Sequence, residues 1–426
     1  MSDVLTGPEA GAAAPARVRV HTAFLNVGHF LDHLFMLIYA SVAALVLVRE
    51  WGMSYAALLP YATPGFIAFG VFSLPAGWLA DRWSRQGMMA VFFIGAGLGS
   101  MLTAAATTPL QIALGLFITG IFAAIYHPVG LALVVDGARR SGTGMAIAVN
   151  GVFGNLGVGS AALLTGYLID TAGWRWAFIV PGAISIVIGL AYIALFHGGM
   201  RKAGGDAAID PRAGGADATS APPVSIARGL ALMLNNGILL RCVLIIVATA
   251  ALGSLVFQST TFALPKIFEE RLDGLATSAT LIGWLAFVVF TIASLAQLVV
   301  GRALDRFGPR PVLLAIGLIQ VTFFALMPGL RDHAAVLVAV AFMLGAFGQI
   351  PINDFMIGRL AKRELRASMF GARFVVSFST LAVALPFIAW VHANHGFDTL
   401  FYILAVTGGM IVLAALALPR TLPEPA

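Results

Sequence analysis

Near the start of the chain, His29, Asp32 and His33 stand within five positions of one another. Spacings of three and four residues put all three on one helical face. Both flanks are apolar, and an ionisable group inside an apolar span costs about 2.5–3.5 kcal/mol on insertion scales, so its retention marks a cavity, a relay or an ion pair. His127 stands in a second such stretch. Asp32 lies nine residues beyond Ala23, about 13 Å along a helix, and His127 lies nine residues before Asp136, the same depth. Asn150, eight residues beyond Gly142, reaches roughly 12 Å. Because histidine titrates near neutral pH, Asp32 and His127, with His29 or His33, can bind a proton and couple its movement to other work. Two other readings stay open: a static Asp–His hydrogen bond bracing the helices, and a metal site made by the two histidines and Asp32. Further ligands are not evident from spacing, so neither a metal nor a cofactor is expected.

A second polar set lies late in the chain. Asp354 stands five residues before Arg359, and Arg373 seven beyond Arg366, which places both about 8–11 Å inside consecutive spans. They suit an ion pair acting as a brace or inner gate, or leave Arg373 as a cationic contact for an anion. Gln258, Asn353, Tyr39, Tyr126 and Asn150 are further candidates for contact with a small-molecule substrate. No P-loop, nucleotide-binding glycine fingerprint, nucleophile elbow or HExxH occurs, so no enzyme is expected.

These residues need a lipid-embedded scaffold. Of 426 residues, 60% are hydrophobic and 10% charged, with a mean hydropathy of +0.94. That excludes a set of soluble domains and a nucleic-acid-binding protein. Apolar runs fall near residues 22–48, 55–80, 87–106, 110–135, 143–170 and 175–196, then 238–264, 277–303, 311–329, 334–358, 368–391 and 398–418. Each is long enough to span a bilayer as a helix, giving an all-α protein of twelve transmembrane helices. The net charge of +6 is concentrated in the tails and even-numbered connections, among them Arg82, Arg85, Arg139, Arg140, Arg306 and Arg310, so both termini are expected in the cytoplasm by the positive-inside rule.

Residues 1–20 lack the apolar core of a secretion signal and are expected to form a disordered cytoplasmic tail, and 420–426 a second cytoplasmic tail. Residues 198–236, poor in large apolar side chains, are expected to be a cytoplasmic linker between bundles 21–197 and 237–419. The run from Ser225 to Asn236 could lie along the membrane surface. An internal repeat agrees: Gly77-Trp78-Leu79-Ala80-Asp81-Arg82 is echoed by Gly301-Arg302-Ala303-Leu304-Asp305-Arg306, and Gly173 and Phe178 by Gly396 and Phe401. Such a repeat implies two halves around a central site.

The loop from Gly77 to Arg85, with its second copy from Gly301 to Arg310, resembles the signature loop of the major facilitator superfamily. The resemblance implies two six-helix bundles that alternate access to a central cavity. It also implies gating roles for Gly77, Asp81, Arg82, Arg85, Gly301, Asp305 and Arg306, joined by Asp354. Gly28-His29-Phe30-Leu31-Asp32 and His127-Pro128 are similar to the fosmidomycin-resistance type of drug exporter within that superfamily. Leu110–Val135 lacks the arginine, and the fifth span the Gly-Pro pair, that drug/proton antiporters of the superfamily often carry. The resemblance implies a monomeric multi-pass protein of the inner membrane that exports a small organic compound against protons. Proton-linked import of an organic anion or a divalent metal ion is the alternative within transport, and a membrane sensor the one outside it.

Overall fold

A computed structural model describes residues 10–137, 143–200, 237–360 and 363–420. Among them, eleven helical runs are long and apolar enough to cross a membrane. Ten are α1 (Arg17–Glu50), α2 (Tyr55–Arg82), α3 (Arg85–Ala104), α4 (Pro109–Gly137), α5 (Ala146–Thr171), α6 (Trp176–Phe196), α7 (Gly237–Arg271), α8 (Ala279–Phe307), α9 (Pro309–Leu326) and α10 (Asp332–Leu360). The eleventh lies within the run Arg363–Ala417, which is two helices, α11 and α12, meeting at Gly396 with φ 74°. The fold is thus the all-α membrane architecture expected. The helical backbone of α1 starts at Ala10, so residues 10–20, Arg17 and Arg19 among them, extend the first helix instead of forming the disordered tail expected, because helical backbone bonds continue from the span. The linker beyond Met200, the run Ser225–Asn236, the loop holding Arg139 and Arg140, and the outermost residues of both tails lie outside the described residues.

Local sequence sets the helix starts. Ser54, Ser84, Thr108 and Ser278 each accept a hydrogen bond from the backbone N–H three residues on, satisfying donors that a helix start leaves open. Gly173, ahead of α6, has φ 95°, and its repeat partner Gly396 has the same handedness ahead of α12. A side chain at either position would be strained, which explains why glycine recurs at this point in both halves.

Packing repeats with the sequence. Helix α1 packs on α5, α2 on α4 and α3 on α6; in the second half α7 packs on α11, α8 on α10 and α9 on α12. The halves meet along α5 and α8, where glycine lets backbones touch. A Cβ at Gly166 would lie 2.2 Å from the Ala279 carbonyl oxygen, and one at Gly283 2.5 Å from that of Ala162. Within lipid, such small-residue seams replace the hydrophobic driving force that water would supply.

Candidate functional site

Helix α1 is held against α5 by the same device, since a Cβ at Gly157 would meet the Phe30 carbonyl oxygen at 2.2 Å. One turn away, a Cβ at Gly154 would fall 2.7 Å from the His29 ring, so glycine there clears room for the imidazole. His29 Nδ1 lies 2.8 Å from the Asn150 carbonyl oxygen. A carbonyl only accepts, so Nδ1 carries the proton and Nε2 of neutral His29 presents a lone pair. His33 Nε2, 3.2 Å from His29 Nε2, is then the donor of that pair.

Helix α4 brings the third imidazole. Over Tyr126–Gly130 its turns widen to the π form. Pro128 lacks the N–H that a regular helix would use there, and such wide turns are frequent at functional sites. His127 is thereby set with its ring perpendicular to those of His29 and His33, at centroid distances of 5.3 and 5.5 Å. Its Nε2 is 3.3 Å from Asp32 Oδ2. Asp32 is 1% exposed, and neither carboxylate oxygen has a hydrogen-bond partner among the described residues.

All four side chains line a cavity of about 370 Å³ between the halves. From the second half, Gln258, Asn353, Asp354 and Arg373 line it as well. Arg373 Nη1 and Asp354 Oδ1 are 2.9 Å apart, joining α11 to α10. The same wall holds a buried amide chain that sequence reasoning did not assemble: Thr249 donates to Asn353 Oδ1 at 2.8 Å, Gln349 to the Thr249 carbonyl at 3.0 Å, and Gln320 to Gln349 Oε1 at 2.8 Å. Thr249, Asn155 and Ser254 also face the cavity, and nothing in their spacing marks them.

Three expected substrate contacts sit behind the wall instead. Asn150 Nδ2 donates to Asn26 Oδ1 and Tyr126 Oη, and the Tyr126 hydroxyl donates to the Leu25 carbonyl, so both knit α1, α4 and α5 together. Tyr39 donates to the Leu58 carbonyl at 2.7 Å. All three are buried and hydrogen-bonded to protein partners. Helix spacing gave their height but not their facing.

The two loop copies differ. In the first, Arg85 donates to Asp81 at 2.8 Å and to Asp136 at 2.7 Å, tying α2, α3 and α4, while the Arg82 guanidinium lies 4.0 Å over the Trp78 ring. A Cβ at Gly77 would sit 3.3 Å from Pro128, so that turn packs against the base of the His127 segment. In the second copy Asp305 makes no ion pair among the described residues, Arg306 stacks on Phe307, and Gly301 has open space around it.

A further cavity of about 450 Å³ opens between α2 and α11. Its lining is mostly apolar, with exposed Val71 and Leu74 on one side and Val375 on the other, and it shares Phe66 and His127 with the central cavity.

A family model described as Major Facilitator Superfamily matches residues 25–277 and 267–426. The chain belongs to that superfamily. Solved structures of the same fold include a bacterial homolog of the human lysosomal transporter Spinster, inward-facing and unoccupied, with a TM-score of 0.76 at 14% identity over 99% of this chain and 100% of that one. The xylose transporter XylE from E. coli gives 0.68 at 15% identity over 96% and 97%. Among sequence relatives, the puromycin resistance protein of Streptomyces alboniger is 33% identical over 144 residues, 33% of this chain and 28% of the relative. The gallate transporter of Pseudomonas putida is 26% identical over 142 residues, 33% of this chain and 32% of the relative. These matches span about a third of each curated relative's length.

Proposed function

We propose that this superfamily member is a secondary transporter that expels a small apolar organic compound in exchange for protons. The observation carrying this reading is the Asp32–His127 pair: a carboxylate without a donor beside an imidazole, on separate helices, at the wall of a cavity between two halves. A proton taken up by such a pair lowers the cost of its charge inside the protein, so proton uptake and release are suited to driving the movement of cargo. The cavity between α2 and α11 supports an apolar cargo, because it offers a path from lipid to His127. The likeness of Gly28–Asp32 and His127-Pro128 to the fosmidomycin-resistance exporters points the same way, as do the drug-resistance relatives. The arginine-rich face carrying the termini is cytoplasmic on this reading, and the protein works in the inner membrane as a monomer.

Proton-linked import of an organic anion is favoured by one feature, the Arg373 guanidinium at the cavity wall. Purified protein in liposomes with an imposed pH gradient and a panel of drugs and organic acids separates the two. Gradient-driven movement of an apolar drug supports export, and movement of acids alone supports import. Proton flux tied to no compound would overturn both.

A further inference from the structure

The three imidazoles have the arrangement of a metal site, with a buried carboxylate beside one of them. His29, His33 and His127 each offer a ring nitrogen, and those atoms lie within 4.8 Å of one another. Ligands held about 2.0–2.1 Å from zinc in a tetrahedron sit roughly 3.3–3.4 Å apart along each edge. One edge of that size is already present, 3.2 Å between His29 Nε2 and His33 Nε2, and Asp32 Oδ2 lies 3.3 Å from His127 Nε2. Metal-binding histidines usually donate their second ring N–H to a carbonyl or carboxylate, which fixes the tautomer and aims the free nitrogen. His29 does this through Nδ1 to the Asn150 carbonyl. For His127 the buried Asp32 carboxylate stands in that supporting position, 3.3 Å from Nε2.

We infer that His29, His33 and His127, supported by Asp32 beside His127, form a binding site for a divalent transition-metal ion of the zinc type, reached from the central cavity. Three imidazoles with water in the fourth position suit zinc or cobalt, whereas magnesium and calcium require an oxygen-rich shell. On binding, neutral His33 changes tautomer: its proton passes from Nε2 to Nδ1, and the metal takes the lone pair freed on Nε2. This inference goes beyond the proposed transport reaction and does not depend on it.

The test is a titration of the full chain in detergent micelles, with the affinity tag removed, using Co²⁺ as the probe. One equivalent is expected to give the intense visible band of four-coordinate cobalt, lost on adding Zn²⁺ and unchanged by Mg²⁺. H33N on α1 and H127N on α4 are each expected to weaken Co²⁺ binding at least about tenfold. Zinc-loaded wild-type protein, examined by X-ray absorption, needs no variant: the expected shell is four N/O atoms at about 2.0–2.1 Å with imidazole scattering. Six-coordinate cobalt, a water-dominated zinc shell, or a four-coordinate band that persists in both variants would overturn the site. A chain that binds cobalt as described but carries no proton flux in liposomes would sink the transport reading and leave the metal site standing.

Discussion

At the scale of single residues, Asp32 and His29 respond differently to substitution because one lacks a donor and the other is pinned by a backbone carbonyl. Asp32→Asn keeps the side-chain volume and removes the charge. In liposomes this variant is expected to lose accumulation driven by a pH gradient while still exchanging labelled compound across the membrane. Unaltered gradient-driven accumulation would rule Asp32 out of the coupling step. The grouping of His29, Asp32 and His33 on one face was legible from their spacing, as was the depth they share with His127. The roles of Tyr39, Tyr126 and Asn150 were not, because a residue's height in a span is set by counting, whereas the direction it faces is set by how neighbouring helices rotate about their axes.

At the scale of elements, the wide turn at Tyr126–Gly130 aims His127 at Asp32. Pro128→Ala restores the missing N–H. If the turn tightens, the helix shifts by one residue, roughly 100° of rotation, and His127 swings away from its partner. The expected outcome is transport reduced as far as in His127→Ala, with thermal stability retained or raised in detergent; full transport would show that the turn is incidental. The α1–α5 seam makes a separate demand. Gly157→Ala places a methyl 2.2 Å from the Phe30 carbonyl oxygen, so the helices must part, at a cost of about 1–3 kcal/mol. A lowered midpoint in thermal unfolding is expected, and an unchanged one would mean that the seam yields freely. Asp81→Ala should change stability by no more than about 1 kcal/mol, because the Arg85–Asp81 pair is largely exposed, yet slow transport if the loop is a latch.

At the scale of the whole molecule, contacts between the halves gather at the face opposite the termini. Arg49 of α1 lies 3.3 Å from Glu269 of α7, Asp170 at the end of α5 accepts from the Thr280 N–H at 2.7 Å, and the Tyr55 ring meets His392 edge-on. Behind them Lys266, nearly buried, bridges Glu269 and Glu270. Breaking this set is expected to favour the alternative state, in which the opposite face opens. In the double variant D170A/T280A, spin labels placed across that face should show a larger population at long distance, whereas an unchanged distribution would mean that these contacts do not hold the halves closed.

Composition, hydropathy and the doubled loop determined the class of protein, the number of spans and the division into halves, because burial in lipid forces every backbone group into a helix and leaves apolar length as the main variable. The repeat also paired Gly173 with Gly396, and the structure supplied the reason, a left-handed backbone at both that disfavours other residues. Tertiary structure alone decided that three imidazoles from two helices converge, with a buried carboxylate beside one of them, and that the two loop copies have different partners. Those outcomes depend on helix rotation, on one widened turn and on glycine contacts between backbones, and residue spacing along a single helix carries no record of any of them.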